Sequence, residues 1–300
     1  MSESRHDDRQ DMRLVALGCG YSARTFIRVV RPDSVVGTTR SVQRADDLHR
    51  RGIRSVVFDG GSSETLSEAL REATHIVVSA GPEADGDPFL HLFERDIAHA
   101  ESLQWIGYLS TVGVYGDHRG EEVDERALCH PTADRGVWRL EAEAAWSALG
   151  RRLDVPVGIF RLAGIYGPGR NAFVNLAAGK ARRIIKPGQV FNRIHVEDIA
   201  QTLVAAVGRP AHRVYNVADD EPAPPQDVIT YAAELMGTEP PPEIAFDEAD
   251  LSPMARSFYG EVKRISNRRI RSELGVRLRY PTYREGLEAL WESGLWREHG

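Results

Sequence analysis

Short apolar or β-branched runs alternate with longer, charge-rich segments through the first half of the chain. The runs fall at 13–17, 34–40, 53–58, 74–79 and 105–110, punctuated by Gly, Pro and Asp. Runs of this length predict strands buried on both faces. The segments between them, at 22–31, 42–51, 63–72 and 87–102, carry helical signals, with Ser62 or Ser63 as an N-cap for the third. Strand–helix alternation predicts an α/β fold, a Rossmann-type doubly wound parallel sheet covered on both faces.

The second half is less regular. The pattern predicts a helix at 133–149, a sixth strand at 155–160, and a Gly/Pro-rich loop at 164–170. A short helical stretch and a segment at 189–195 follow, then a helix at 196–207 and a strand at 213–217. Further helices are predicted near 226–236 and 283–293. The expected organisation is a disordered polar tail over 1–12 and a Rossmann domain over 13–163. A mixed segment, 164–300, would complete the sheet and form a small C-terminal substrate lobe over a cleft. No internal repeat occurs, and the one biased run is Pro240-Pro241-Pro242 between Glu239 and Glu243.

At the first strand–helix junction the chain reads Gly18-Cys19-Gly20-Tyr21-Ser22-Ala23, a G-x-G-x-x-A spacing. The glycines permit a tight turn and a close backbone approach, and Ala23 keeps the first helical turn slim. Free N–H groups and the positive helix end then face whatever lies over the loop, ideally a pyrophosphate. Gly18, Gly20, Tyr21, Ser22 and Ala23 are therefore candidate dinucleotide contacts. The second strand ends Thr38-Thr39-Arg40-Ser41. An NAD-preferring unit carries Asp or Glu here, whereas a hydroxyl at Thr39 and a guanidinium at Arg40 suit a 2′-phosphate. The expectation is NADP rather than NAD, with a solvated helix-start arginine as the alternative. Ligands on such sheets lie beyond the carboxyl ends of the strands, so Gly18, Arg40, Asp59, Ser79 and Ser110 should share one rim.

Composition changes this picture little. The 300 residues are 42% hydrophobic and 27% charged, ordinary for a globular chain with a sizeable core. A net charge of −6 gives no reason to expect a nucleic-acid partner. The apolar runs are too short for a membrane span, and no apolar leader opens the chain. Cys19 and Cys129 are the only cysteines and lack metal-ligand spacing, which predicts a reduced, cytoplasmic protein without a disulfide framework. Cys19, near a helix start, is either a thiol of lowered pKa or buried filler.

Four further segments carry a resemblance: Leu109-Ser110-Thr111-Val112-Gly113-Val114-Tyr115-Gly116, Arg161-Leu162-Ala163-Gly164-Ile165-Tyr166-Gly167-Pro168-Gly169, Arg193-Ile194-His195-Val196-Glu197-Asp198-Ile199-Ala200 and Val214-Tyr215-Asn216-Val217-Ala218-Asp219. In this order behind the fingerprint, they resemble the extended short-chain dehydrogenase/reductase superfamily, NAD-dependent epimerase/dehydratase type, over 13–290. The resemblance implies that Thr111 holds the substrate oxygen and that Asp59 meets the adenine amino group. It places Ser79, Ala80 and Gly81 under the adenosine ribose, and Tyr166, Gly167 and Pro168 beside the nicotinamide. The His195–Asp198 stretch would be mostly architectural. Each residue also has a structural alternative: an ST-turn for Thr111, a turn before Gly60 for Asp59, a satisfied core histidine for His195.

One departure matters. Active members carry Tyr-x-x-x-Lys on the helix after the fifth strand, where Tyr relays the proton and Lys holds the nicotinamide ribose. Here Arg135 and Arg139 occupy those positions, on one helix face. A guanidinium does not release a proton near pH 7, so Arg135 cannot replace the tyrosine, whereas Arg139 can still hold ribose hydroxyls. Two such arginines suit an anionic small-molecule substrate, or pair with Asp134, Glu141 or Glu143 at the surface. The pattern resembles an atypical branch of the superfamily, nucleoside-diphosphate-sugar epimerase-like, that lacks the Tyr/Lys pair. Tyr115, Tyr166 and Tyr108 are substitute proton donors, Tyr115 first, though it is also a routine packing position.

Two functions follow. One is an NADP-dependent oxidoreductase or epimerase acting on a carbonyl or hydroxyl compound, with a nucleotide sugar as one candidate class. The other is a non-catalytic NADP-binding sensor or partner-binding protein. The resemblance also implies a homodimer through the helices after the fourth and fifth strands, a surface that would include Leu90, Leu92, Phe93, Trp138 and Trp146, with ordinary core packing as the alternative for these residues.

Overall fold

In the computed structural model, which describes residues 11–298, seven strands form one parallel sheet. They are β1 (Arg13–Leu17), β2 (Ser34–Thr39), β3 (Arg54–Val57), β4 (His75–Val78), β5 (Trp105–Thr111), β6 (Val157–Leu162) and β7 (Arg213–Val217). Their spatial order is β7-β6-β5-β4-β1-β2-β3. The chain leaves β1 toward β2 and β3, then returns to lay β4 on its other side. This reversal opens a crevice at the carboxyl end of β1, where open α/β sheets bind ligands. The predicted α/β class and parallel, doubly wound sheet are both present.

Alternation along β1 assigns the two faces. Leu14 and Ala16 point into a core shared with Ala23 and Phe26 of α1 (Tyr21–Val30). Leu48 of α2 (Val42–Arg50) joins that same core, whereas Val15 and Leu17 join the opposite one, against α3 (Glu64–Glu72), α4 (Pro88–Ala98) and α5 (Asp134–Leu153). In that second core Leu66, Leu70, Phe89, Phe93 and Trp146 are buried, each contributing roughly 1.5–3 kcal/mol. In mid-sheet Gly107 of β5 pairs with Gly158 of β6, and a Cβ on either would strike the ring of Trp105 or Phe160. The paired glycines thus leave a trench for two aromatic rings.

Phe93 and Trp146 lie inside this core, 1% and 0% exposed, and Trp146 Nε1 donates to Asp87 Oδ2 at 2.9 Å. For these two the core alternative holds, and neither is a surface residue available to a dimer face. Helix α5 also runs a turn beyond its predicted end. Gly150 looks like a stop but packs against Val157, and the helix ends at Asp154 in the left-handed conformation. Under α5, Glu143 accepts from Arg161 of β6 at 2.7 Å, with both side chains buried. The Ser110 hydroxyl also donates to Glu143. Ser110 is therefore core-facing and does not line the rim.

The C-terminal part adds α6 (Ala172–Ala177), α7 (Val196–Val207), α8 (Pro225–Leu235), α9 (Pro253–Phe258), α10 (Arg268–Ser272) and α11 (Tyr283–Ser293). Helix α7 packs on α1, and β7 completes the sheet. Three short parallel ribbons join distant segments: 164–166 with 193–195, 183–185 with 243–245, and 122–123 with 264–265. The predicted 164–170 loop therefore begins as a strand. Two small clusters, one around Phe173, Tyr283 and Leu287 and one around Ile184 and Tyr259, give this lobe its own cores. Residues 1–10 of the predicted tail lie outside the described residues. Met12, at its end, packs against the core, and its amide donates to Asp33 Oδ2 at 2.8 Å.

Removing Glu143 would strand the Arg161 guanidinium among apolar side chains. Breaking a buried pair from one side costs about 3–5 kcal/mol. Urea denaturation of Glu143→Ala is expected to show a loss of that order, partly recovered when Arg161→Met is added. A loss near zero in the single variant would mean that the pair does not hold α5 in place.

Candidate cofactor and substrate site

Gly18 adopts φ +84°, and a Cβ there would lie 2.6 Å from the Ala80 amide nitrogen. No L-side chain fits. The Gly18 amide donates to the Thr38 hydroxyl at 2.7 Å, its carbonyl accepts from the Ser79 hydroxyl, and the Cys19 amide donates to Thr38 O at 2.7 Å. Leu17 O takes both the Ser79 and Ala80 amides, at 2.8 and 3.1 Å. Thr38 was missed from sequence; its contact with the glycine loop, twenty residues away, leaves no local signal.

Gly20 caps α1 without a side-chain hydrogen bond, and no acidic residue occupies the first turn. Among the described residues, the amides of Tyr21, Ser22 and Ala23 have no hydrogen-bond partner, so they are free for an anion. A Cβ on Gly20 would find only Gly18 O, at 3.9 Å. This glycine keeps open a space that the protein itself does not fill. The loop thus fits a pyrophosphate. Cys19 is 8% exposed, and burial pushes its thiol up to about 11. It is the inert filler of the two alternatives.

Around this notch the predicted residues fall as follows. Thr39 ends β2 and accepts from the Ser41 amide at 3.4 Å, while Arg40 is exposed beyond it. Asp59 turns one oxygen onto the Gly61 amide at 3.0 Å. Arg139 lies across the ends of β4 and β5. Its Nη1 faces Leu109 O at 2.9 Å, the Tyr108 hydroxyl at 3.3 Å and Ala80 O at 3.4 Å, and its Nη2 would meet a Cβ on Gly81 at 3.4 Å. Arg135 is exposed, with Nη1 3.7 Å from Met254 Sδ of α9. Among the described residues neither arginine pairs with Asp134, Glu141 or Glu143.

Thr111 Oγ1 accepts the Gly113 amide at 3.1 Å, so the ST-turn alternative is real. It uses only the oxygen and leaves the O–H proton to be donated elsewhere. The tyrosines are spent on the fold. Tyr115 is 0% exposed and its hydroxyl donates to Asn216 Oδ1 at 2.7 Å, with Arg161 over its ring. Burial pushes this phenol up to about 12. The expectation that Tyr115 relays a proton is therefore corrected: its hydroxyl is enclosed and already donated. Tyr166 donates to Thr282 O at 3.3 Å, Tyr108 lies behind Arg139, and burial raises both phenols.

The NAD dependent epimerase/dehydratase family model matches residues 95–218. Protein YeeZ of Escherichia coli (strain K12) is 32% identical over 233 residues, which cover 75% of this chain and 77% of that one. The chain belongs to the NAD-dependent epimerase/dehydratase family. A solved structure of a functionally unknown conserved protein from Silicibacter pomeroyi DSS is 50% identical, with a TM-score of 0.86, covering 94% of this chain and 98% of that one. A 3-diazoavenalumate denitrifying reductase from Streptomyces sp is 28% identical over 178 residues, 55% of this chain and 58% of its own length.

Within this family member, the segments behind the rim hold two buried acids. Asp198, in the first turn of α7, accepts the Arg279 and Tyr280 amides at 2.6 and 3.1 Å; burial pushes it up to about 6. His195 caps α7 by accepting the Glu197 amide at 3.2 Å, and burial lowers it to about 3. Its Nε2 has no partner among the described residues, so His195 is only half the satisfied core histidine expected. Asp219, just beyond β7, is 2% exposed, and burial pushes its carboxyl up to about 8.

The folded protein therefore keeps the Asp219 proton where an unfolded chain has lost it. That contribution is whole below the ordinary carboxyl value of 3.8 and is lost as pH rises through about 8. Asp219→Asn should flatten the fall in urea midpoint between about pH 6.5 and 8, above the ranges in which Asp198 and His195 titrate with opposite sign. A variant whose midpoint falls with pH as steeply as the parent's would remove Asp219 as its source.

Proposed function

We propose that the protein binds NADP and is an oxidoreductase or epimerase acting on a carbonyl or hydroxyl carbon. The observation that carries the cofactor reading is the basic corner at the end of β2. Arg40 is exposed there with no carboxylate within ion-pair distance among the described residues. Arg24, one turn into α1, approaches Gly20 O at 3.4 Å and Asp47 Oδ2 at 3.4 Å. Burial, then the nearby Arg51 guanidinium, lowers its hold on its proton. A ribose diol calls for a carboxylate at this position, and a 2′-phosphate calls for guanidinium.

When bound, the nicotinamide supplies the hydride. The amides of residues 21–23 hold the pyrophosphate, Arg40 the 2′-phosphate, and Asp59 the adenine. Ser79, Ala80 and Gly81 pass under the adenosine ribose. Arg139 takes the nicotinamide ribose hydroxyls with the nitrogens it does not spend on the strand ends. Thr111 donates its O–H to the substrate oxygen. Arg135, across from α9, adds positive charge that suits an anionic small molecule, a nucleotide sugar being one class. The Streptomyces relative, a reductase by name, supports the reductase half of this reading. The competing reading is a non-catalytic NADP sensor, favoured by the enclosure of Tyr115 and by Arg135 standing where a proton relay is expected.

Titration of nicotinamide fluorescence is expected to show NADPH bound about tenfold or more tighter than NADH, with Arg40→Asp erasing the difference. Equal affinities in the parent would sink the NADP assignment. Loss of absorbance from NADPH against aldehydes and ketones, together with chromatographic detection of isomerised nucleotide sugars (an epimerase returns its hydride and consumes no NADPH), separates the enzyme from the sensor: turnover that falls in Thr111→Val supports the enzyme. Tight binding without turnover across the panel supports the sensor.

A further inference from the structure

A hairpin from the C-terminal lobe reaches the start of α1. Its ends, Gly167 and Arg170, bond each other, amide to carbonyl, at 3.0 and 3.1 Å. Behind it, Asn171 Nδ2 donates to Gly167 O and Trp296 O, both at 2.8 Å, and the Gly169 amide donates to Trp296 O at 3.0 Å. In front, the Tyr21 hydroxyl donates to Pro168 O at 3.0 Å. A Cβ on Gly167 would lie 2.5 Å from that hydroxyl, so the hairpin lies flat against the phenol. Tyr21 is the first residue of α1, whose free amides line the notch. Arg170 closes the hairpin, is exposed, and has no ion-pair or side-chain hydrogen-bond partner among the described residues. Its charge reaches the Tyr21 phenol, where it opposes the upward push of burial.

We infer that Arg170 is a second anchor for the dinucleotide pyrophosphate, delivered across the notch by the lobe and held in register by Tyr21. This rests on the cofactor reading above. The α1 amides approach the diphosphate from the sheet side and supply partial charges only. Two phosphate charges call for a full cation, and Arg24, the basic residue within the loop's own helix turn, is turned toward Gly20 O and Asp47. Arg170 meets that need from the opposite wall. Because the hairpin is tied to Trp296, pyrophosphate held by Arg170 would also bind the lobe to the sheet.

The test compares NADPH with adenosine 2′-monophosphate, which keeps the adenosine and the 2′-phosphate but has no pyrophosphate. Calorimetric titration of Arg170→Ala should show NADPH weakened about tenfold, the worth of a charge-assisted contact, and the monophosphate unchanged within about twofold. Arg170→Lys should recover part of the loss. Tyr21→Phe, which keeps the ring but unlatches Pro168, should weaken NADPH less and leave the monophosphate alone. NADPH binding indifferent to Arg170, or equal weakening of both ligands, overturns the inference. A parent protein that binds neither ligand overturns the cofactor reading and this anchor together, whereas tight parent binding indifferent to Arg170 overturns the anchor alone.

Discussion

Gly18 and Ala80 approach so closely that the ends of β1 and β4 behave as one piece of backbone. Three hydrogen bonds enforce the approach: Ser79 and Ala80 amides onto Leu17 O, and the Ser79 hydroxyl onto Gly18 O. From the other side the Thr38 hydroxyl takes the Gly18 amide. These contacts consume the polar groups at the start of the loop and leave the α1 amides free. The contacts require β1 to lie between β4 and β2, so the strand order itself is what makes the notch. A glycine loop on an edge strand would have lost half of these partners.

The same logic runs one strand further. Arg139 lies over the ends of β4 and β5 because α5 is pinned one turn later, where Glu143 meets Arg161 and Ser110. The spacing of four sets the two residues on one face of the helix. The first side chain then reaches the rim while the second is anchored beneath it. Trp146, three residues after Glu143 on the same buried face, bonds to Asp87 and ties α5 to the core a second time. An arginine that looks like surface decoration in sequence is thereby held against two strand ends, with Nη2 close to the Cα of Gly81.

What the sequence conveyed and what it hid divide along contact range. The seven strands of the sheet show as short apolar runs, α1 as a 3.6 period, and the glycine turn and the second-strand terminus as local motifs, and all were legible. The fate of Tyr115 was not, because its hydroxyl is claimed by Asn216, 101 residues away. Ser110 looked like a rim residue for the same reason: its partner Glu143 sits on a helix thirty-three residues later. Strand 164–166 was hidden under Gly/Pro-rich composition, since it forms only by pairing with 193–195. Helices α9 and α10 have six and five residues, too short to show a period. The predicted limit of the fifth helix at 149 fell short because Gly150 continues it, packed against Val157.

The groups gathered at the rim share one chemical property: they carry charge or donate hydrogen bonds without changing protonation near neutral pH. Arg135 and Arg139 keep their protons, and a threonine hydroxyl passes one on only by taking another. The three tyrosines that could titrate are bonded to Asn216, Arg139 and Thr282 O, and burial raises each phenol further from pH 7. A tyrosinate relay has no place in such a set. If a substrate oxygen gains a proton here, the route consistent with these side chains runs through the Thr111 O–H from solvent. In the proposed reaction the arginines would hold negative charge in place and take no part in acid–base exchange.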